Sequence, residues 1–312
     1  MVNRRVSVNM TTHHHPFWAT VMIAGCSLLM LPSVEAQQTR DRLHEPVFRI
    51  SRAAKNVTTA RDAAPGAAAK VNKPHPLDPG LDLARNSLEH IERNIQDYTC
   101  TLVKRERVNG SLLEHEFMSC KVRHAGIVNG KKVPFSVYLN FLRPESMKGR
   151  EVIYMAGTND GKFTVHEGGF KGRFLPTVSL LPTSTLAMRN QRYPMTEIGI
   201  KTMTKRLIEK GTRDRKLGLC KVRMINGAKV KDRVCTMLEV RHDDRRPQFD
   251  FHLARVFLDS ELNLPIRYEA YDWPTSPGTA PQLIEEYTYM NLKVNVGLRD
   301  ADFDSKNPKY NF

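Results

Sequence analysis

Cysteine and tryptophan are scarce, with five and two among 312 residues, and no apolar run reaches the ~18 residues that a membrane-spanning helix needs. Acidic residues are also short, 33 Asp and Glu against 48 Lys and Arg, for a formal net charge of +15. These shortages exclude a disulfide-built mini-protein and a helical integral membrane protein. Catalytic signatures are missing too. There is no Gly-x-Ser-x-Gly, P-loop, Gly-x-Gly-x-x-Gly or Cys-x-x-Cys, so esterase, nucleotidase, dinucleotide and thiol-redox readings have no support. His166-Glu167 opens like a zinc-protease helix, but Phe170 stands where the second His belongs. Asp300, Asp302 and Asp304 alternate as in a calcium loop, but Ser305 and Asn311 replace its Gly and Glu. Neither is read as a metal site, and no cofactor is expected. Glu285-Glu286 and Asp243-Asp244 would point to opposite faces of a strand, which is wrong for a carboxylate pair acting on one substrate.

What is present begins with an address. Arg4 and Arg5 precede an apolar stretch from Phe17 to Leu31, and Val34-Glu35-Ala36 supplies a small-x-small exit. This predicts a signal peptide over 1–36 cleaved after Ala36, and a secreted or periplasmic chain. The rival is a lipoprotein acylated at Cys26, although Ser27 to Leu31 continue the apolar run past that Cys. Residues 37–76 are basic and rich in Ala and Pro, with eight Lys and Arg against Asp41, Glu45 and Asp62. They read as a disordered tether whose partners would be anionic envelope polymer or lipid headgroups, not nucleic acid, or as a solvated linker with no partner. A single domain is expected over 77–312.

Leu81, Ala84, Leu88, Ile91, Ile95 and Tyr98 fall at helical spacing, with charged residues on the opposite face. From Thr99 the period becomes two, and Asn109-Gly110 marks a hairpin. Strands follow to Ala156 and His166, helices over Thr183–Gly211 with Gly211 as the stop, then further strands from Leu219 to Val296. In the last strand Met290, Leu292 and Val294 read as the dry face, and Glu285, Tyr287 and Tyr289 as the wet one. The layout predicts an α+β fold: one strongly curved antiparallel sheet of about ten to eleven strands, an open β-barrel, with helices filling its concave side.

Four cysteines remain after the signal peptide. A three-residue loop Asn109-Gly110-Ser111 places Cys100 opposite Cys120, and a four-residue loop Asn226–Lys229 places Cys220 opposite Cys235. Two hairpin disulfides are expected. Phe135, Leu139, Phe141, Ile153, Met155, Phe163, Phe257, Met290 and Leu292 occupy inward parities. They form either an apolar groove for an acyl chain or an ordinary filled core.

The blocks Tyr98–Arg107, Pro134–Leu139, Lys148–Val152, Leu264–Tyr268 and Asn291–Leu298 with Asp302-Phe303-Asp304 resemble the bacterial family labelled domain of unknown function 1571, over roughly Leu77 to Phe312. More distantly the chain is similar to periplasmic lipoprotein carriers and their sigma-factor-regulating relatives. That resemblance implies a lipoprotein-carrier-like open barrel lined with apolar residues and lidded by helices. It implies a non-enzymatic envelope protein that carries or senses a lipid, an acylated ligand or a lipoprotein. The alternatives are an envelope scaffold holding anionic polymer and a hydrolase with an unrecognised site. The sequence leaves the oligomeric state open.

Overall fold

The computed structural model describes residues 45–46, 48–49, 56–59 and 74–312, and these belong to one compact unit. Two short strands, β1 (Phe48–Arg49) and β2 (Asn56–Thr59), precede α1 (Asp78–Asn94). Then come β3 (Asp97–Val108), β4 (Ser111–Leu112), β5 (Glu116–Arg123), β6 (Gly126–Val128), β7 (Lys131–Val133), β8 (Ser136–Arg143), β9 (Glu151–Met155) and β10 (Phe163–His166). A single turn α2 (Gly169–Gly172), β11 (Val178–Leu180) and α3 (Ile200–Leu217) follow. The chain finishes with β12 (Lys221–Val230), β13 (Arg233–Arg241), β14 (Leu253–Asp259), β15 (Leu264–Tyr271) and β16 (Leu283–Val294).

All the strands except the β6–β7 hairpin join one antiparallel sheet of 14 strands in the path β1-β12-β13-β14-β15-β16-β3-β5-β8-β9-β10-β11. The sheet thus has two halves, β3 to β11 and β12 to β15, joined by β16 against β3. The strand number exceeds the expected ten to eleven because several members have only two to four residues. Two of these, β1 and β2, pair with β12, so these residues of the expected 37–76 tether are paired into the sheet, while most of that segment lies outside the described residues. Phe48 anchors this segment, its ring 5.3 Å from Phe257 and 4.8 Å from the Arg267 guanidinium. The expected signal peptide lies outside the described residues.

On α1 the expected stripe is buried at Leu81 and Ile91 and continues through Ile95 and Tyr98. Pro79, near the start, costs no helical hydrogen bond. The second helix departs from expectation: residues 183–199 are mostly turns, and α3 runs through Gly211 to a left-handed Gly218. Gly211 does not stop the helix because it serves packing. A Cβ there would meet the Leu81 side chain at 2.9 Å, so the glycine lets α1 and α3 approach. The Tyr98 hydroxyl accepts the Ile200 N–H at 3.0 Å, fixing the start of α3 over β3.

The cysteine geometry divides. Cys100 does lie opposite Cys120, although the turn tip is the two-residue Asn109-Gly110, with Val108 facing Ser111. The extra residue enters between β4 and β5. Both are thiols in the structure, and burial, then the neighbouring Cys120, pushes the Cys100 thiol well up. The Cys220–Cys235 pairing is corrected. Asn226-Gly227 is a bulge inside β12, with Gly227 at φ 76°, and the true turn is Lys231-Asp232. Cys235 therefore faces Ala228 while Cys220 stands just beyond the Lys221–Arg241 pair, about 23 Å along the hairpin at ~3.3 Å per residue.

Two buried carboxylates pin the ends of this framework. Asp97 accepts the N–H groups of Val296, Gly297 and Leu298 at 2.7, 3.2 and 2.9 Å, seating the chain after β16 against β3. Asp97→Ala is expected to lower unfolding free energy by about 2–3 kcal/mol, because buried donors lose a charged acceptor; unchanged urea unfolding would contradict this. Asp259 accepts the N–H groups of Glu261 and Leu262 and binds Arg233. Burial raises its pKa, but Arg233 and the two N–H groups outweigh that and hold it below its ordinary value of 3.8. Its stabilisation is therefore present above pH 3.8 and lost as pH falls through the lower folded value. Asp259→Asn should lower stability at neutral pH and flatten the acid limb of a stability–pH curve; an unchanged acid limb would refute that linkage.

Candidate functional site

A cavity of about 540 Å³ lies between the helix-bearing face of β16, β3, β5, β8, β9, β10 and β11 and a strap of residues 182–199 leading into α3. Its size falls within the ~300–1,000 Å³ that takes a small ligand. The sheet wall is apolar at Leu102, Met118, Leu139, Phe141, Val152 and Phe163, and the roof at Met195, Ile198 and Met203. Methionines on wall and roof, with Met147 between β8 and β9, give a lining that adapts to an irregular apolar shape.

Of the residues expected to form a groove, the structure places Leu139, Phe141 and Phe163 on this wall. Phe135 and Leu292 pack against the surrounding core without lining it. Ile153 and Met155 lie in a separate cluster with Tyr138 and Phe303. The reason is register: Leu139 pairs with Val152 and Tyr138 with Ile153, so β9 turns Val152 inward. Phe257 is fully buried beneath Phe48, and Met290 is buried outside the lining. The dry and wet assignment of β16 holds at Leu292 and Val294, which pack on the core while Asn291 and Lys293 are exposed, and is reversed before Asn291. Glu285, Tyr287 and Tyr289 face the cavity, and the ladder slips between Met290 and Lys293 around Asn291, at φ 52°.

The polar end was not foreseen. Glu285 does point away from Glu286, but it lies directly opposite Glu106 on β3. The two carboxylates are 2% and 4% exposed, deep enough that each needs partners. Tyr287 donates its hydroxyl to Glu106 Oε1 at 2.5 Å. The strap supplies the rest. Arg192 gives its backbone N–H to Glu106 Oε2 at 3.1 Å and its Nε to Glu285 Oε2 at 2.9 Å, while the Tyr193 hydroxyl donates to Glu285 Oε1 at 3.2 Å. Lys104, beside Glu106, sits 3.1 Å from Glu116 and donates to Gln191 of the strap. Arg206 of α3 stacks on the Tyr193 ring at 4.3 Å and pairs with Glu197. Burial, then Glu285, pushes the Tyr193 phenol to about 12, and burial with the same carboxylates pushes Tyr287 far up, so both remain neutral donors at physiological pH.

The strap is thus latched to two buried acids, and with the latch closed neither acid is free to act as a general acid or base. Cross-strand pairing between residues 179 apart in sequence creates this site; adjacency in the chain carries no sign of it. Among the described residues no group of three or more His, Cys, Asp or Glu is placed to hold a metal ion. Asp300 and Asp302 instead pair with Arg123 and Lys121, each at 2.7 Å. Tyr193→Phe removes one donor from a buried carboxylate and should speed amide exchange in 182–199 about tenfold, leaving β13 to β15 unchanged; unaltered exchange in the strap would contradict the latch.

Comparison with known proteins returns solved structures of low similarity. A DUF1329 family protein from Desulfovibrio piger is 16% identical at a TM-score of 0.36, covering 74% of this chain and 98% of that one. A putative outer membrane lipoprotein-sorting protein domain from Vibrio parahaemolyticus is 12% identical at 0.34, covering 72% and 96%. A LolA superfamily protein from Nitrosomonas europaea is 11% identical at 0.29, covering 71% and 97%. None of these overlaps reaches a TM-score of 0.5. No curated protein matches. A family model described as protein of unknown function (DUF1571) matches residues 95–312, and the chain belongs to that family.

Proposed function

We propose that this DUF1571 chain is an extracytoplasmic, non-enzymatic binding protein that encloses an acyl chain, free or attached to a lipid or lipoprotein, in the cavity beneath the strap. The observation that carries this reading is the cavity: about 540 Å³ bounded by Leu, Phe, Val and Met side chains and roofed by a segment with its own polar fastening. The chain enters when the Arg192 and Tyr193 latch opens, and the acyl group lies along the wall from Leu102 toward Phe163. The linear strand order with the helices on one face suits an open barrel, whose concave side the helices and strap fill only in part. Export follows cleavage after Ala36, and in the oxidising compartment Cys100 and Cys120 join across their hairpin. A scaffold role through the basic 37–76 segment is the alternative, motivated by that segment's excess of Lys and Arg. The saturation of Glu106 and Glu285 by protein donors speaks against the hydrolase alternative.

Native and denaturing mass spectrometry on protein purified from its own envelope tests these points together. The expected polypeptide starts at Gln37, lacks the thiol hydrogens of Cys100 and Cys120, and carries a releasable acyl lipid. Leu139→Trp, which overfills the wall, should abolish the adduct while circular dichroism stays native. A lipid-free wild type after incubation with envelope lipids would overturn the carrier reading, and an adduct indifferent to Leu139→Trp would place the lipid elsewhere.

A further inference from the structure

Large apolar side chains exposed on this protein are concentrated in one place. Of the nine among the described residues, six fall between 170 and 186: Phe170, Phe174, Leu175, Val178, Leu181 and Leu186. Phe170 and Phe174 are 75% and 73% exposed, too open to be core residues at a rim, and their rings meet edge to face at 5.2 Å. They stand on the connection between β10 and β11, where Gly168, Gly169 and Gly172 shape a tight excursion from the sheet edge. Val178 and Leu186 belong both to this patch and to the cavity lining, so the patch is continuous with the cavity.

Charge identifies the occupant. From 168 to 196 the sequence carries Lys171, Arg173, Arg189 and Arg192 and not one Asp or Glu. Arg173 and Arg189 are exposed beside the apolar residues. The nearest acid in the chain, Glu167, is paired with Arg150 at 2.9 Å, and exposed aromatic side chains with cations at their flanks are matched by an interface that is apolar below and anionic above, which is the surface of a bilayer containing acidic lipids. A protein partner's apolar groove would satisfy the phenyl rings but gives no reason for an acid-free stretch of this length.

We propose that the β10–β11 connection is a bilayer-docking tip: Phe170 and Phe174 enter the headgroup–acyl boundary of an anionic membrane while Arg173 and Arg189 engage its phosphates, bringing the cavity mouth to the lipid surface. This docking is separate from ligand capture and holds whether or not the cavity takes an acyl chain.

Flotation of the mature chain with phosphatidylcholine vesicles, with and without phosphatidylglycerol, tests it. Wild type should float with the phosphatidylglycerol vesicles, and Phe170→Ser with Phe174→Ser should weaken that binding at least about tenfold without lowering the melting temperature, since both rings are exposed. Arg173→Ser with Arg189→Ser should weaken it and reduce its salt dependence. Emission of the Phe174→Trp variant, taken as the difference from wild type, should shift blue with vesicles and be quenched by brominated lipid. Equal flotation of wild type and the Phe pair would assign binding to the 37–76 segment and overturn the proposal. So would absence of wild-type binding, an unshifted difference emission from Phe174→Trp, or loss of self-association in the Phe pair without any vesicle binding.

Discussion

The pairing of β16 with β3 is the contact on which the rest of the molecule depends. It brings together strands from opposite ends of the domain and is the only junction between the halves β3–β11 and β12–β15 in the described sheet path. Without it each half would present a long unpaired edge. Such a contact closes a long loop, so its entropic cost must be met by what the pairing assembles on both faces. On the helix-bearing face it sets Glu285 against Glu106 and Tyr287 against Lys104, making the polar end of the cavity. The strap then has something to fasten to.

The opposite face is held by charge. Arg255 bridges Glu239 and Glu269 at 2.8 and 3.0 Å, and Arg267 bridges Glu269 and Glu286 at 2.7 and 2.6 Å, so alternating charges run across β13, β14, β15 and β16. His115, before β5, extends the row with a contact to Glu286 at 2.9 Å. Arg267 and Glu269 are almost wholly buried, and buried pairs of this kind stabilise little against apolar replacements while strongly penalising mispairing. A slip of one residue in any of these strands would turn each charge to the other face. The ladder therefore fixes the register that places Glu285 under the strap.

Local signals made much of this legible. The helical stripe of α1 and the Asn109-Gly110 turn follow from nearby residues, while Cys100 meets Cys120 because an extra residue between β4 and β5 offsets the shorter turn. Two of the departures share one cause, a single inserted or left-handed residue. Asn226-Gly227 has the composition of a turn but forms a bulge, displacing the second hairpin and separating Cys220 from Cys235. Asn291 interrupts β16, so inward parity read back from Leu292 and Val294 assigned the cavity face of Tyr287 and Tyr289 to solvent. The carboxylate pair was hidden differently. Glu106 and Glu285 meet only through a long-range register, and with no pattern linking them each looks like an ordinary surface acid.

This register builds the cavity beneath the strap that we propose holds an acyl chain. Photo-crosslinking with a diazirine-bearing long-chain fatty acid, followed by peptide mapping, tests it most directly. Labels are expected in the peptides containing Met118, Leu139 and Phe141, and in the strap around Met195. Labelling confined to peptides outside the cavity wall, or none at saturating fatty acid, would contradict the account.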